Sequence, residues 1–260
     1  MATAWLSAAE NKGTGALYHD RVPVHAGAMN DTTPPAAPQP PSPSYPVAFD
    51  VEPQLTDRNR LTVAFRIILA IPHLILVGGP AFALGGSGWL FWRTGAGYRF
   101  GGGFGGGGVI GLVAVVVAVI AWFAIVFGGT HPRGLWDFTR MYMRWRTKAG
   151  AYIALFRDEY PPFGEGEYAV TYEVAYPEAA RNRWSVGLRI FYLIPHAIVL
   201  FFLNIAWAVT SVIAWFAILF TGAYPDGLYK FGVGVMRWGM RVETYALLMR
   251  DEYPPFSLEQ

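Results

Sequence analysis

Cysteine does not occur in this chain of 260 residues. Disulfides, thiolate metal sites and cysteine nucleophiles are therefore excluded. Charge is scarce as well, with 15% Asp, Glu, Lys and Arg beside 53% hydrophobic residues, where a soluble domain carries roughly 25% charged residues. Acids are missing altogether from Arg58 to Trp136 and from Ala179 to Pro225. Both windows coincide with apolar stretches, which points to lipid as the solvent. No Walker lysine, HExxH or GxSxG occurs. Gly103 to Gly108 formally matches GxGxxG but follows no strand, so the dinucleotide context is lacking. Asp137 and Asp226 are too isolated in sequence to make a catalytic pair. The expectation is a protein that is not an enzyme and has no cofactor or metal. Its basic residues adjoin apolar segments rather than forming a separate basic domain, so nucleic acid is not an expected partner.

What the chain does contain is a duplication. Arg58-Asn59-Arg60 recurs as Arg181-Asn182-Arg183, and Ile71-Pro72-His73 as Ile194-Pro195-His196. Ala121 to Ile125 recurs as Ala214 to Ile218, and Asp158-Glu159-Tyr160-Pro161-Pro162-Phe163 as Asp251-Glu252-Tyr253-Pro254-Pro255-Phe256. Order is kept throughout, so one unit is present twice, in residues 45–163 and 164–260. Residues 1–44 read as a disordered tail, rich in Pro, Ser and Thr from Asn30 to Ser44. No charged start followed by an apolar run of signal-peptide length precedes Met29, so a cleavable export signal is not expected. Met29 is itself a candidate start.

Each copy opens on a period-two alternation, Tyr45 to Glu52 and Tyr168 to Tyr176, which predicts a strand. Two such strands are unstable alone and are expected to pair antiparallel across a pseudo-two-fold axis. Leu61 to Val77 and Val109 to Phe127 read as membrane segments, the latter close to the ~20 residues that cross a ~30 Å core. Trp184 to Phe220 is an almost unbroken apolar run of 37 residues, about 55 Å at ~1.5 Å per residue. That is too long for one crossing and slightly short for two. The expectation is a tight hairpin turning near Asn204, with a hairpin that enters without fully crossing as the alternative. The first copy differs by a Gly-rich insertion from Gly78 to Gly108.

The spans are followed by two helical periods, a stripe from Leu135 to Phe156 and another from Leu228 to Met249, each with basic residues opposite. Such helices lie in the membrane interface or pack on the spans of their own protein. Arg140, Arg144, Arg146, Lys148, Lys230, Arg237 and Arg241 are the candidate surface for anionic lipid or a membrane-protein partner. Basic residues outside the hairpin loops put both termini in the cytoplasm of a multi-pass plasma-membrane protein. Within the spans, Arg66 and His73 share a helix face, as do Arg189 and His196. Intramembrane ionisable groups are candidate functional sites, here against the structural alternative of a snorkelling arginine and a histidine that satisfies a carbonyl. The prolines stop both amphipathic helices. The paired acids before them are expected to answer Arg157 and Arg250, or the Arg-Asn-Arg of the other copy.

As a set, Arg-Asn-Arg, Ile-Pro-His, Ala-Trp-Phe-Ala-Ile and Tyr-Pro-Pro-Phe resemble the membrane family known as domain of unknown function 4389, over about residues 45–257. The resemblance implies a bacterial integral membrane protein and nothing biochemical. The expected architecture is an all-α integral membrane protein with four transmembrane helices in two parallel-repeat hairpins, each with a short N-terminal strand and a C-terminal basic amphipathic interfacial helix. The expected role is interaction or scaffolding, with a small transporter or channel component as the alternative.

Overall fold

A computed structural model describes residues 45–79, 108–179 and 181–259. The expected disorder of residues 1–44 and most of the Gly-rich insertion lie outside those residues. The described chain is mostly helical, with seven helices and two strands. Strand β1 (Val47–Val51) leads to α1 (Arg60–Ala64), α2 (Arg66–Leu76), α3 (Gly108–Gly128) and α4 (Arg133–Ile153). The second copy supplies β2 (Val170–Val174), α5 (Arg183–Gly187), α6 (Arg189–Thr221) and α7 (Asp226–Ala246).

The duplicated motifs explain where the elements begin. Asn59 and Asn182 cap α1 and α5, each side chain accepting from the amides two and three residues on, an interaction that stabilises a helix start by about 1 kcal/mol. The strands pair antiparallel as expected, with Phe49 opposite Tyr172. Those two residues are equivalent in the repeat, so a pseudo-dyad passes between them. Reciprocal contacts confirm it. The Arg58 amide donates to the Gly222 carbonyl and the Arg181 amide to that of Gly129. Trp122 and Trp215 donate their indole N–H to the Val186 and Val63 carbonyls respectively.

The expected turn near Asn204 does not exist. α6 is one continuous helix of 33 residues, about 50 Å long at ~1.5 Å per residue. Neither Gly nor Pro interrupts the chain between Pro195 and Gly222. Asn204 lies on the inward face, in a buried stripe with Leu193, Leu200, Trp207, Ala214 and Ile218, so the polar residue chosen for the turn faces protein instead. By length and composition, α3 and α6 are the two described helices able to cross a membrane; α2 is a shorter apolar helix.

In the first copy, α2 and α3 together correspond to α6. Gly108 (φ +58°) sits so close to the end of α2 that a Cβ there would lie 2.5 Å from the Ile75 carbonyl oxygen. The insertion therefore leaves and rejoins a broken helix at nearly one point.

Three layers result. The buried sides of β1 and β2 rest on the middle of α4 and α7, where Arg144 donates to the Tyr172 carbonyl and Arg237 to that of Phe49. α4 and α7 run antiparallel, tied by Arg146 to Glu243 and by the Trp136 indole to the Met249 carbonyl. α6 follows α7 in the opposite direction, as Arg189 meets the Tyr245 carbonyl, His196 meets Trp238 and Trp207 packs on Gly232. α2 and α3 follow α4 in the same way, through Arg66 to the Tyr152 carbonyl, His73 to Trp145, and Gly111 under Tyr142. The outward sides of α2, α3 and α6 expose large apolar residues along their length, among them Ile67, Leu112, Phe123, Phe191, Phe202 and Val212.

Candidate functional site

Each copy builds the same clasp. Arg58 forks onto Asp158 (2.7 and 3.0 Å), Arg66 reaches the same carboxylate at 2.6 Å, and the Asn59 amide donates to it at 2.7 Å. Arg66 also donates to the Tyr152 and Arg157 carbonyls, with its guanidinium 4.1 Å from the Tyr152 ring centre. In the second copy Arg181 (2.6 and 2.7 Å) and Arg189 (2.6 Å) share Asp251, and the Asn182 amide donates at 3.2 Å. Burial alone would raise the Asp158 carboxyl, but Arg58, the Asn59 amide and Arg66 outweigh it and hold the group below its ordinary value. Asp251 follows the same logic, burial opposed by Arg181 and Arg189.

Seven residues along the helix, His73 accepts at Nδ1 from Trp145 (3.1 Å), stacks on Phe163 (4.6 Å between ring centres) and meets Tyr160. His196 does the same with Trp238 (3.1 Å), Phe256 (4.0 Å) and Tyr253. An Nδ1 that accepts leaves the proton on Nε2, so each imidazole is held in one tautomer. The hexapeptide thus folds back along the apolar helix. Its aspartate takes the arginine, and its tyrosine and phenylalanine cover the histidine two turns on. That spacing is the physical reason the motifs recur together.

The four candidate intramembrane residues are not brought together into one path; each is committed to partners within its own copy. The acids are answered differently from expectation too. Arg-Asn-Arg of the same copy, not of the other, grips each aspartate. Arg250 pairs with Glu252 as expected, and Arg157 lies 3.9 Å from Glu159.

Six of the seven basic candidates are engaged by the protein itself, and Lys230 stays exposed. Arg144 pairs with Glu173 and Glu165, Arg146 with Glu243 and the Val77 carbonyl, and Lys148 with the Gly164 and Gly166 carbonyls. Arg237 donates to the Phe49 and Leu258 carbonyls, Arg241 to those of Ser257 and Glu259. Arg140 lies 3.7 Å from Asp137 and over the Trp136 ring, and Lys230 pairs with Asp226. Arg146, Lys148 and Arg241 are buried. The aromatic stripe is buried as well, through Tyr142, Trp145, Trp238 and Tyr245. Packing on their own protein, one of two compatible placements for these helices, is observed. The exposed cations that sequence reasoning passed over are Arg60 and Arg183. Each precedes an open apolar residue, Leu61 or Trp184, and each contacts the other copy at Gly222 or Gly129. Reading the Arg-Asn-Arg motif one residue at a time was the available signal, since its outer two arginines do different things.

An apolar cavity of about 360 Å³ opens between α3, α5 and α6, lined by Ala118, Trp122, Val186, Ile190 and Leu193 with Arg189 at its edge. Among the described residues, no group of three or more His, Asp or Glu is placed to hold a metal ion.

Residues 107–164 and 183–257 match the profile of a family described as a domain of unknown function (DUF4389). The chain belongs to DUF4389. Two matched segments fit two tandem copies. The second contains Arg189, His196, Asp251 and Phe256 but begins just after Arg181 and Asn182. The first begins where α3 begins, so the insertion separates Arg66 and His73 from the stretch in which DUF4389 is matched. No curated protein and no solved structure matches this chain.

Proposed function

We propose that this DUF4389 protein is a non-enzymatic scaffold embedded at the cytoplasmic side of the plasma membrane. The observation that carries the reading is its two-sidedness. One side of the α4–α7 layer is covered by helices whose outward residues are apolar. The other is covered by a sheet whose outward residues include Asp50, Glu52, Thr171 and Glu173. A continuous apolar face of this extent marks an interaction with lipid or protein, and its composition and length suit acyl chains. Arg60 and Arg183 sit at its rim, exposed and placed to meet anionic headgroups. The acidic outer side of the sheet is left to a partner in water. Transport through a path lined by Arg66, His73, Arg189 and His196 draws no support from side chains committed to separate clasps.

Attachment is tested by carbonate extraction of membranes from the expressing cell. The protein stays in the pellet if the apolar face is embedded; release into the supernatant contradicts the proposal. Headgroup recognition is tested by partition between neutral liposomes and liposomes containing anionic lipid. Arg60→Gln with Arg183→Gln should reduce the anionic preference roughly thirtyfold, from about 1 kcal/mol per arginine. An unchanged preference removes the lipid-recognition part.

A further inference from the structure

We infer that the apolar layer lies flat in one leaflet, so that the chain enters the bilayer from one side and never crosses it. The inference rests on the membrane attachment proposed above and specifies its geometry.

Four observations carry it. First, α6 is about 50 Å long at ~1.5 Å per residue, against a hydrocarbon core of ~30 Å. Upright, it would leave some 20 Å of apolar helix in water; tilts rarely exceed about 40°, too little to absorb the excess. Second, both ends of α6 are fastened to one framework. Arg189 at its start holds Asp251 and the Tyr245 carbonyl. The Gly222 carbonyl at its end accepts from the Arg58 amide, and the Tyr224 amide donates to the Leu55 carbonyl. Third, the sheet lies across the middle of α4 and α7, not at their ends. Arg144, halfway along α4, holds Glu173, whose side chain is 61% exposed. Standing these helices upright would carry Glu173 and Asp50 to mid-bilayer depth, where an acid costs about 3 kcal/mol even on insertion scales. Fourth, the pseudo-dyad through the sheet relates the two apolar helices, so an axis along the membrane normal sets α2–α3 and α6 at equal depth. One helix layer, ~10 Å across, fits within half of a ~30 Å core.

The absence of native cysteine makes the test direct. Single-cysteine variants Glu178→Cys, before α6, Lys230→Cys, beyond its end, and Phe202→Cys, on its exposed middle, are reconstituted in sealed vesicles of both orientations and treated with a membrane-impermeant maleimide. Far-ultraviolet circular dichroism of each purified variant confirms that it folds. Labelling of Glu178→Cys and Lys230→Cys from the same side, with Phe202→Cys protected from both, is the expected result. Labelling of Phe202→Cys from the opposite side would reveal a crossing hairpin, and labelling of the other two from opposite sides a single crossing. Either overturns the inference while leaving membrane attachment intact. Release by carbonate would instead sink the attachment itself.

Discussion

Asp158 and Asp251 each neutralise one of the two arginines they touch and leave a cluster of net positive charge inside the protein. Removing a partner from a buried ion pair costs about 3–5 kcal/mol, because the remaining charge loses its compensation. The Asp158 side chain is 10% exposed and that of Asp251 26%. Asp158→Asn should therefore destabilise the detergent-solubilised protein by about 3 kcal/mol, and Asp251→Asn by less, both read from thermal unfolding. Equal or negligible losses would contradict the clasp. Acid should weaken the fold in two stages. Burial pushes His131 down to about 4, so between its ordinary value near 6.5 and pH 4 the unfolded chain binds more protons, and stability falls as pH drops through that window. Both aspartates are held below their ordinary value, so their contribution is lost only at lower pH still. His131→Asn should lessen the first stage and leave the second unchanged, measured as unfolding temperature against pH. At this scale the sequence made Arg66, His73, Arg189 and His196 visible by repetition and helical spacing. Their partners lie far along the chain, Asp158 92 residues beyond Arg66, and no local period encodes such a pairing.

Elements were legible to the extent that a period defines them. Both strands and both amphipathic helices follow from alternation or 3.6-residue spacing, and the α3 segment from its unbroken apolar length. α6 was misread because a length argument for a bilayer crossing overrode the absence of any helix breaker. The broken α2–α3 helix has a consequence at Val77, whose carbonyl accepts from Arg146. The equivalent of Arg146 in the second copy is Gly239, and there an unbroken helix has no free carbonyl to satisfy. Deleting residues 78–107 should join α2 to α3 as one helix like α6, giving a folded, membrane-bound protein with undiminished helical signal; aggregation or loss of helix would show that the two ends are not in register. Gly129 and Gly222 end α3 and α6 at φ +79° and +74°. Gly222→Ala should cost about 1–2 kcal/mol in unfolding free energy from the left-handed backbone alone, with Arg60 displaced as well because the new Cβ would lie 3.3 Å from its guanidinium.

Across the whole molecule, the duplication builds a sandwich of sheet, buried amphipathic pair and apolar helices, with the dyad running through all three. Long apolar segments and the duplication were plain in the sequence; orientation was not. The arginines that the positive-inside rule counts are largely spent on internal carboxylates and carbonyls, so their number says little about which loops meet the cytoplasm. Spin labels at Ile198, Ile205 and Val212, exposed positions along α6, report immersion depth through their relative accessibility to oxygen and to a polar nickel complex. Equal depth at all three, within one leaflet, is the outcome expected of a helix lying in the membrane plane. Depth that drifts steadily from one headgroup region toward the other would show a helix that crosses, and the layered arrangement would have to be abandoned.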